Sequence, residues 1–122
     1  MTTNRSKYRG TKQYHLVFCK LINAAQQRRE VTYKEVATIL GIHIPGNYMG
    51  RAIGQVLGEI SEDEHAAGRP MLSAIVRRDN GIPGKGFFTL ARELGKLSAT
   101  DTQGEIQFWQ DELEKVFETW RA

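Results

Sequence analysis

One stretch constrains this chain more than any other: VTYKEVATILGIHIPGNYMGRAIGQVL, residues 31–57. Thr32 and Glu35 make a T-x-x-E capping box, which starts a helix by satisfying its first orphan amide donors. Val36, Ile39 and Leu40 give that helix an apolar face, and Gly41 suits the left-handed residue that ends it. Pro45 and Gly46 exclude a continuous helix, so IHIPGN is a turn. A second helix starts near Asn47, with Ile53, Val56, Leu57 and Ile60 at i, i+3, i+4 and i+7 facing the core. At about 100° per residue, Arg51 and Gln55 fall on the opposite side, with Tyr48 beside them. The pattern is a helix-turn-helix whose outer face is free for a partner.

The charge distribution suggests which partner. The net charge is only +3, but residues 1–58 hold nine Lys/Arg against Glu30 and Glu35. Residues 59–64 then carry four acids and no base, residues 65–100 six bases against two acids, and residues 101–122 six acids against two bases. A basic surface coinciding with the helix-turn-helix and backed by an acidic one fits a polyanion, most simply duplex DNA. No apolar run approaches the roughly 20 residues of a membrane span. The N-terminal MTTNRSKYRG has no apolar core of a secretory leader. A single cysteine, Cys19, allows no intramolecular disulfide, and a cytoplasmic setting is the expectation.

Around this centre the chain predicts one domain. Residues 1–10 read as a flexible basic arm with Arg5, Lys7 and Arg9, and residues 11–122 as a single winged-helix-like domain with its core at 31–95. Between Thr11 and Arg29, Tyr14, Val17, Phe18, Leu21, Ala24 and Ala25 recur at helical spacing, with Thr11 or Gly10 as N-cap and Arg28 and Arg29 in the last turn. Gly50, Gly54 and Gly58 form a stripe along the second helix of the central stretch. Each interior glycine costs about 1 kcal/mol relative to alanine, so the stripe needs a reason. Either the preceding helix packs tightly there or a nucleic acid approaches the backbone. The acidic run SEDEH, 61–65, and Gly68 are expected to close the helix or form a solvated loop. MLSAIVRR, 71–78, reads as a strand. Asn80-Gly81 is the sharpest turn signal, and with Arg77, Arg78 and Lys85 around it the stretch 77–86 reads as a basic wing. GFFTLARELG follows as a helix with Phe87, Leu90, Ala91 and Leu94 inward. A second capping box, Thr102 to Glu105, starts a C-terminal helix, 102–121, with Trp109, Val116, Phe117 and Trp120 on one side and Asp111, Glu112, Glu114 and Glu118 on the other. The expected fold is mainly α with a small β-hairpin wing: a winged helix-turn-helix between N- and C-terminal amphipathic helices.

The inventory of chemistry is short. There is no G-x-S-x-G, H-E-x-x-H, Walker loop or C-x-x-C, and no motif for a cofactor. His15 and Cys19 are four apart, but with no further Cys or His cluster they read as structural rather than as metal ligands.

The order of these motifs resembles the C-terminal DNA-binding domain of alkylguanine-DNA alkyltransferases and the alkyltransferase-like proteins, over Val31 to Gly95. VTYKEVATILG is similar to that family's first motif helix, GRAIGQVL to its Arg-Ala-Val-Gly recognition helix, and a strand led by Pro70, a Gly-rich wing and a helix ending in Glu-Leu-Gly follow in the family's order. The resemblance implies that Arg51 enters the base stack in place of an extruded nucleotide and that Tyr33 helps turn the neighbouring phosphate. The family's reactive Pro-Cys-His-Arg tetrad falls on Pro70-Met71-Leu72-Ser73, which has no thiol to accept an alkyl group and no histidine to activate one. Met71 and Leu72 are expected to make any base pocket more apolar. The combined expectation is non-enzymatic duplex binding through the helix at 47–60 and the wing at 77–86, using Tyr33, Tyr48, Arg51, Gln55, Arg77, Arg78 and Lys85. The alternatives are an adaptor that works through its acidic C-terminal helix, by homodimerisation or by docking another protein, and a non-catalytic sensor of modified bases.

Overall fold

The computed structural model describes residues 6–122. Five α-helices and one small sheet follow in order: α1 (Lys12–Gln26), β1 (Val31–Thr32), α2 (Tyr33–Leu40), α3 (Asn47–Ala66), a 3₁₀ turn (Leu72–Ile75), β2 (Val76–Arg77), α4 (Lys85–Glu93) and α5 (Thr102–Trp120). The fold is mainly helical, as the periodicity predicts. No helix among the described residues is long and apolar enough to cross a membrane.

The helix starts follow their caps. Thr11 caps α1, its side chain accepting from the Tyr14 N–H, and Thr32 caps α2 by accepting from the Glu35 N–H at 3.2 Å. Gly41 ends α2 at φ 75, the left-handed conformation a glycine takes without a steric penalty. The expected capping box at Thr102 is not formed. Asp101 is the N-cap of α5, without a side-chain bond, and the Glu105 carboxylate goes to Arg92 at 2.6 Å instead. Arg28 and Arg29 lie beyond the end of α1 rather than in its last turn. Arg28 adopts φ 53, and its guanidinium sits 4.8 Å from the Phe117 ring centre and bonds Glu114 at 2.9 Å, tying the loop to α5.

The core is built around the 3₁₀ turn, against which α1, α3 and α5 pack. Leu21, Ile53, Ile60, Met71, Leu72 and Ile75 are fully buried. The Trp109 indole N–H donates to the Ala74 carbonyl at 2.9 Å, and the Met71 N–H donates to the buried Glu112 carboxylate at 2.8 Å, which also pairs with Lys96. Helix α5 therefore seals this segment, and Glu112 belongs to the interior rather than to an acidic outer face.

Two expectations about 71–86 are corrected. The strand is only Val76–Arg77, because Leu72–Ile75 coil into the 3₁₀ turn instead of extending. The β-hairpin wing is absent: β2 pairs in parallel with β1, Val31 opposite Val76 and Thr32 opposite Arg77. The Asn80-Gly81 turn does form, with Gly81 at φ 88 and Asn80 Oδ1 accepting from the Ile82 N–H. Pro83 then offers no amide donor, and α4 begins at Lys85, so no return strand has room.

The acidic run is the last part of α3 and closes it as expected, not a solvated loop: the helix ends at Ala66, Gly68 follows at φ 80, and the Arg69 N–H donates to the Glu64 carbonyl. Glu59 and Glu64 are 2% and 1% exposed. Glu64 pairs with Arg69 at 2.7 Å, while Arg9 bonds Glu62 at 2.8 Å and Asp63 at 2.9 Å. Of the expected basic arm, residues 1–5 lie outside the described residues. Residues 7–9 are fastened to α3: the Lys7, Tyr8 and Arg9 N–H groups all donate to the Glu59 carboxylate, at 2.7 to 3.0 Å.

Candidate nucleic-acid interface

Helix α2, the 42–46 turn and α3 stand as the central stretch predicts, and α3 and α4 flank an open groove of about 940 Å³. Gly50, Gly54 and Gly58 line one wall, and Lys85, Gly86, Thr89 and Glu93 line the other. Tyr33, Arg78 and Ser73 also line the groove.

The glycine stripe is not explained by internal packing. A Cβ built on Gly50, Gly54 or Gly58 would meet nothing within 4 Å. Three bare helical positions in a row therefore leave the α3 backbone open to whatever enters the groove.

The cations of the groove are unspent. Arg51, Arg78 and Lys85 have no ion pair among the described residues, whereas Arg9, Arg28, Arg69, Arg77 and Arg92 all do. Glycine also caps both helices that open onto the groove. Gly46 precedes α3 at φ 139 and Gly84 precedes α4, neither with a side-chain cap, so first-turn N–H donors at both helix starts border the same space.

Tyr33 lines the groove against Gly84. Burial pushes its phenol above the ordinary value, while the Arg78 charge and a hydrogen bond from the Gly84 backbone act the other way. A Cβ at Gly84 would run into the Tyr33 hydroxyl. The sequence marks Gly84 only as part of a glycine-rich turn and gives no sign of this contact. Ser73 is 5% exposed and is bonded to Ser61, whose hydroxyl donates to it at 2.7 Å. No local pattern marks that pair.

The expected site residues separate into two groups. Tyr33, Arg51, Gln55, Arg78 and Lys85 line one groove. Arg77 does not line it and is held by Glu30 at 3.1 Å. Tyr48 is 60% exposed but lies off the groove, beside Tyr8, whose phenol is raised by burial and by the nearby Tyr48 and Glu59. Gln55 donates to Glu59 at 2.6 Å, which ties the groove wall to the N-terminal segment. Met71 and Leu72 are core residues and do not line the groove, so the pocket is not made apolar by them. Among the described residues no group of three or more His, Cys, Asp or Glu could hold a metal ion.

No family model, curated protein or solved structure matches this chain.

Proposed function

We propose that this chain is a non-enzymatic protein that binds duplex DNA, on a winged-helix arrangement akin to the alkyltransferase-like proteins. One observation carries the reading: three cations without ion pairs among the described residues, Arg51, Arg78 and Lys85, line a groove whose α3 wall carries the open stripe Gly50, Gly54 and Gly58. Unpaired cations favour phosphates, and each contact made releases counterions. The glycine stripe lets a backbone approach closely, and glycine-capped helix starts add donors for phosphate oxygens. The wing of this reading is the basic loop between β2 and α4, not a hairpin. A sensor of modified bases is the narrower version, supported by Tyr33 and Arg51 lining one groove.

The test is duplex binding titrated with salt. Binding weakens steeply as salt rises, and replacing Arg51, Arg78 or Lys85 by alanine lowers the slope of log K against log salt by about 0.9 each. Arg77→Ala, which removes a cation already paired with Glu30, leaves the slope unchanged. Absence of duplex binding at low salt, or equal slopes for all four variants, defeats the reading. For the sensor version, Arg51→Ala abolishes any preference for a modified duplex over a plain one.

A further inference from the structure

We infer that Ile44 is an apolar wedge that enters a base step of the bound duplex and bends it; this rests on the DNA-binding reading above. Ile44 is 81% exposed, and Tyr48, four residues on, is 60% exposed. They are the two most exposed large hydrophobic side chains among the described residues. Among the described residues, Ile44 is not one of those packed on the core. Its neighbour Ile42 already packs on the core, and the Ile42 N–H is fixed to the Ala37 carbonyl at 3.0 Å. The tip is presented by a short turn held between Gly41 at φ 75 and Gly46 at φ 139.

The surroundings indicate what such a tip meets. Ile44 sits between His43 and Pro45, which line a second groove of about 680 Å³, and two residues before Gly46, which lines the first. The two grooves share Tyr33, Met49 and Arg78. Lys34 and Arg78 border the second groove and Arg51 the first, with Asp79 and Glu93 the acids present. An apolar tip next to two grooves lined by Lys34, Arg51, Arg78 and Lys85 suits a ligand with a charged outside and a stacked apolar inside, which describes duplex DNA. Side chains of this kind partly unstack a base step, and the cost is offset by the wider contact that bent DNA makes with the protein. Isoleucine is also stiff at χ1, so little freedom is lost on insertion. An anionic membrane surface has a similar chemistry, but interfacial anchoring calls for an extended apolar face, and here it is limited to one turn.

The experiment uses the intact chain and duplexes with 2-aminopurine placed at successive positions, with end-labelled duplexes reporting the bend by energy transfer. The parent raises fluorescence at one step and shortens the end-to-end distance. At saturating protein, Ile44→Ala still binds, with affinity reduced by about tenfold or less, but gives neither signal, while Ile44→Phe keeps both. Arg51→Ala, also at saturation, keeps the step unstacked, which separates the wedge from base extrusion by Arg51. Equal unstacking and bending by Ile44→Ala and parent overturns the wedge. So does a parent that binds the duplex without either signal, in which case the DNA-binding reading stands alone. If the parent binds no duplex, both readings fall. If it partitions onto phosphatidylserine vesicles and Ile44→Ala does not, the tip is a membrane anchor and the wedge is wrong.

Discussion

Gly84 and Tyr33 are 51 positions apart in sequence and touch in the lining of the groove. Gly84 has φ −72, which any residue can adopt, so its need for glycine is steric and not conformational. Gly84→Ala is therefore expected to destabilise the fold by about 1 to 3 kcal/mol in urea unfolding, the usual cost of overpacking. Adding Tyr33→Phe, which removes the clashing oxygen, recovers part of the loss. Full additivity of the two losses would show that the contact is not the cause. At this scale the sequence was a partial guide. Arg51 follows from projecting α3 at about 100° per residue, and Tyr33 entered only through a family resemblance. Arg77 and Arg78 are indistinguishable as adjacent arginines, yet Glu30, 47 positions from Arg77, pairs with one of them and leaves the other to the groove. Gln55 points outward as predicted, but the Glu59 carboxylate one turn on holds its amide.

Helices were legible where a local cap wrote them, and the sheet was not. Thr11, Thr32 and Gly41 act within a few residues of themselves, so their roles survive folding unchanged. The pairing of Val31 with Val76 joins segments 45 residues apart, and no turn signal reports it. Asn80-Gly81 instead suggested a hairpin, a local inference overruled by Pro83 and by the start of α4. The glycine stripe of α3 was legible as a puzzle, and the structure narrows its answer. Because a methyl at Gly54 meets no neighbour, Gly54→Ala is expected to stabilise the fold by about 1 kcal/mol through helix propensity alone. The same change is expected to weaken duplex binding, since the methyl fills the wall a ligand approaches. Opposite signs in thermal unfolding and in DNA affinity are the signature. If Gly54→Ala improves stability and leaves affinity intact, close approach to the α3 backbone is not part of binding.

Across the whole molecule, buried carboxylates fasten segments that are distant in sequence. Glu112 holds α5 to the 3₁₀ turn, and Glu59 holds residues 7–9 to α3. Neither role was visible in the sequence, where the acids of 61–65 were expected to close α3 or form a solvated loop and residues 1–10 to be a flexible basic arm. Burial pushes the Glu59 carboxyl up, but donors from Gln55 and from the Lys7, Tyr8 and Arg9 backbone outweigh it, and the group ends below its ordinary value of 4.5. A carboxyl depressed in the folded state stabilises the fold above its unfolded pKa, and that contribution fades as pH falls through the folded value. The parent is thus expected to hold its Glu59-dependent stability from neutral pH down to the carboxylate range and to lose it in more acidic solution. Glu59→Gln keeps the shape but presents a single acceptor oxygen to the same donors, and should cost about 2 kcal/mol at pH 7. The gap between variant and parent, followed by urea unfolding at stepped pH, should narrow as pH falls below the ordinary carboxyl value of 4.5. A gap that stays constant through the acid range would mean that the charge on Glu59 does not fasten the N-terminal segment. Because Gln55 lines the groove and bonds the same carboxylate, the variant also asks whether that fastening shapes the binding face. If it does, Glu59→Gln lowers duplex affinity at pH 7 while leaving the salt slope of the three groove cations unchanged.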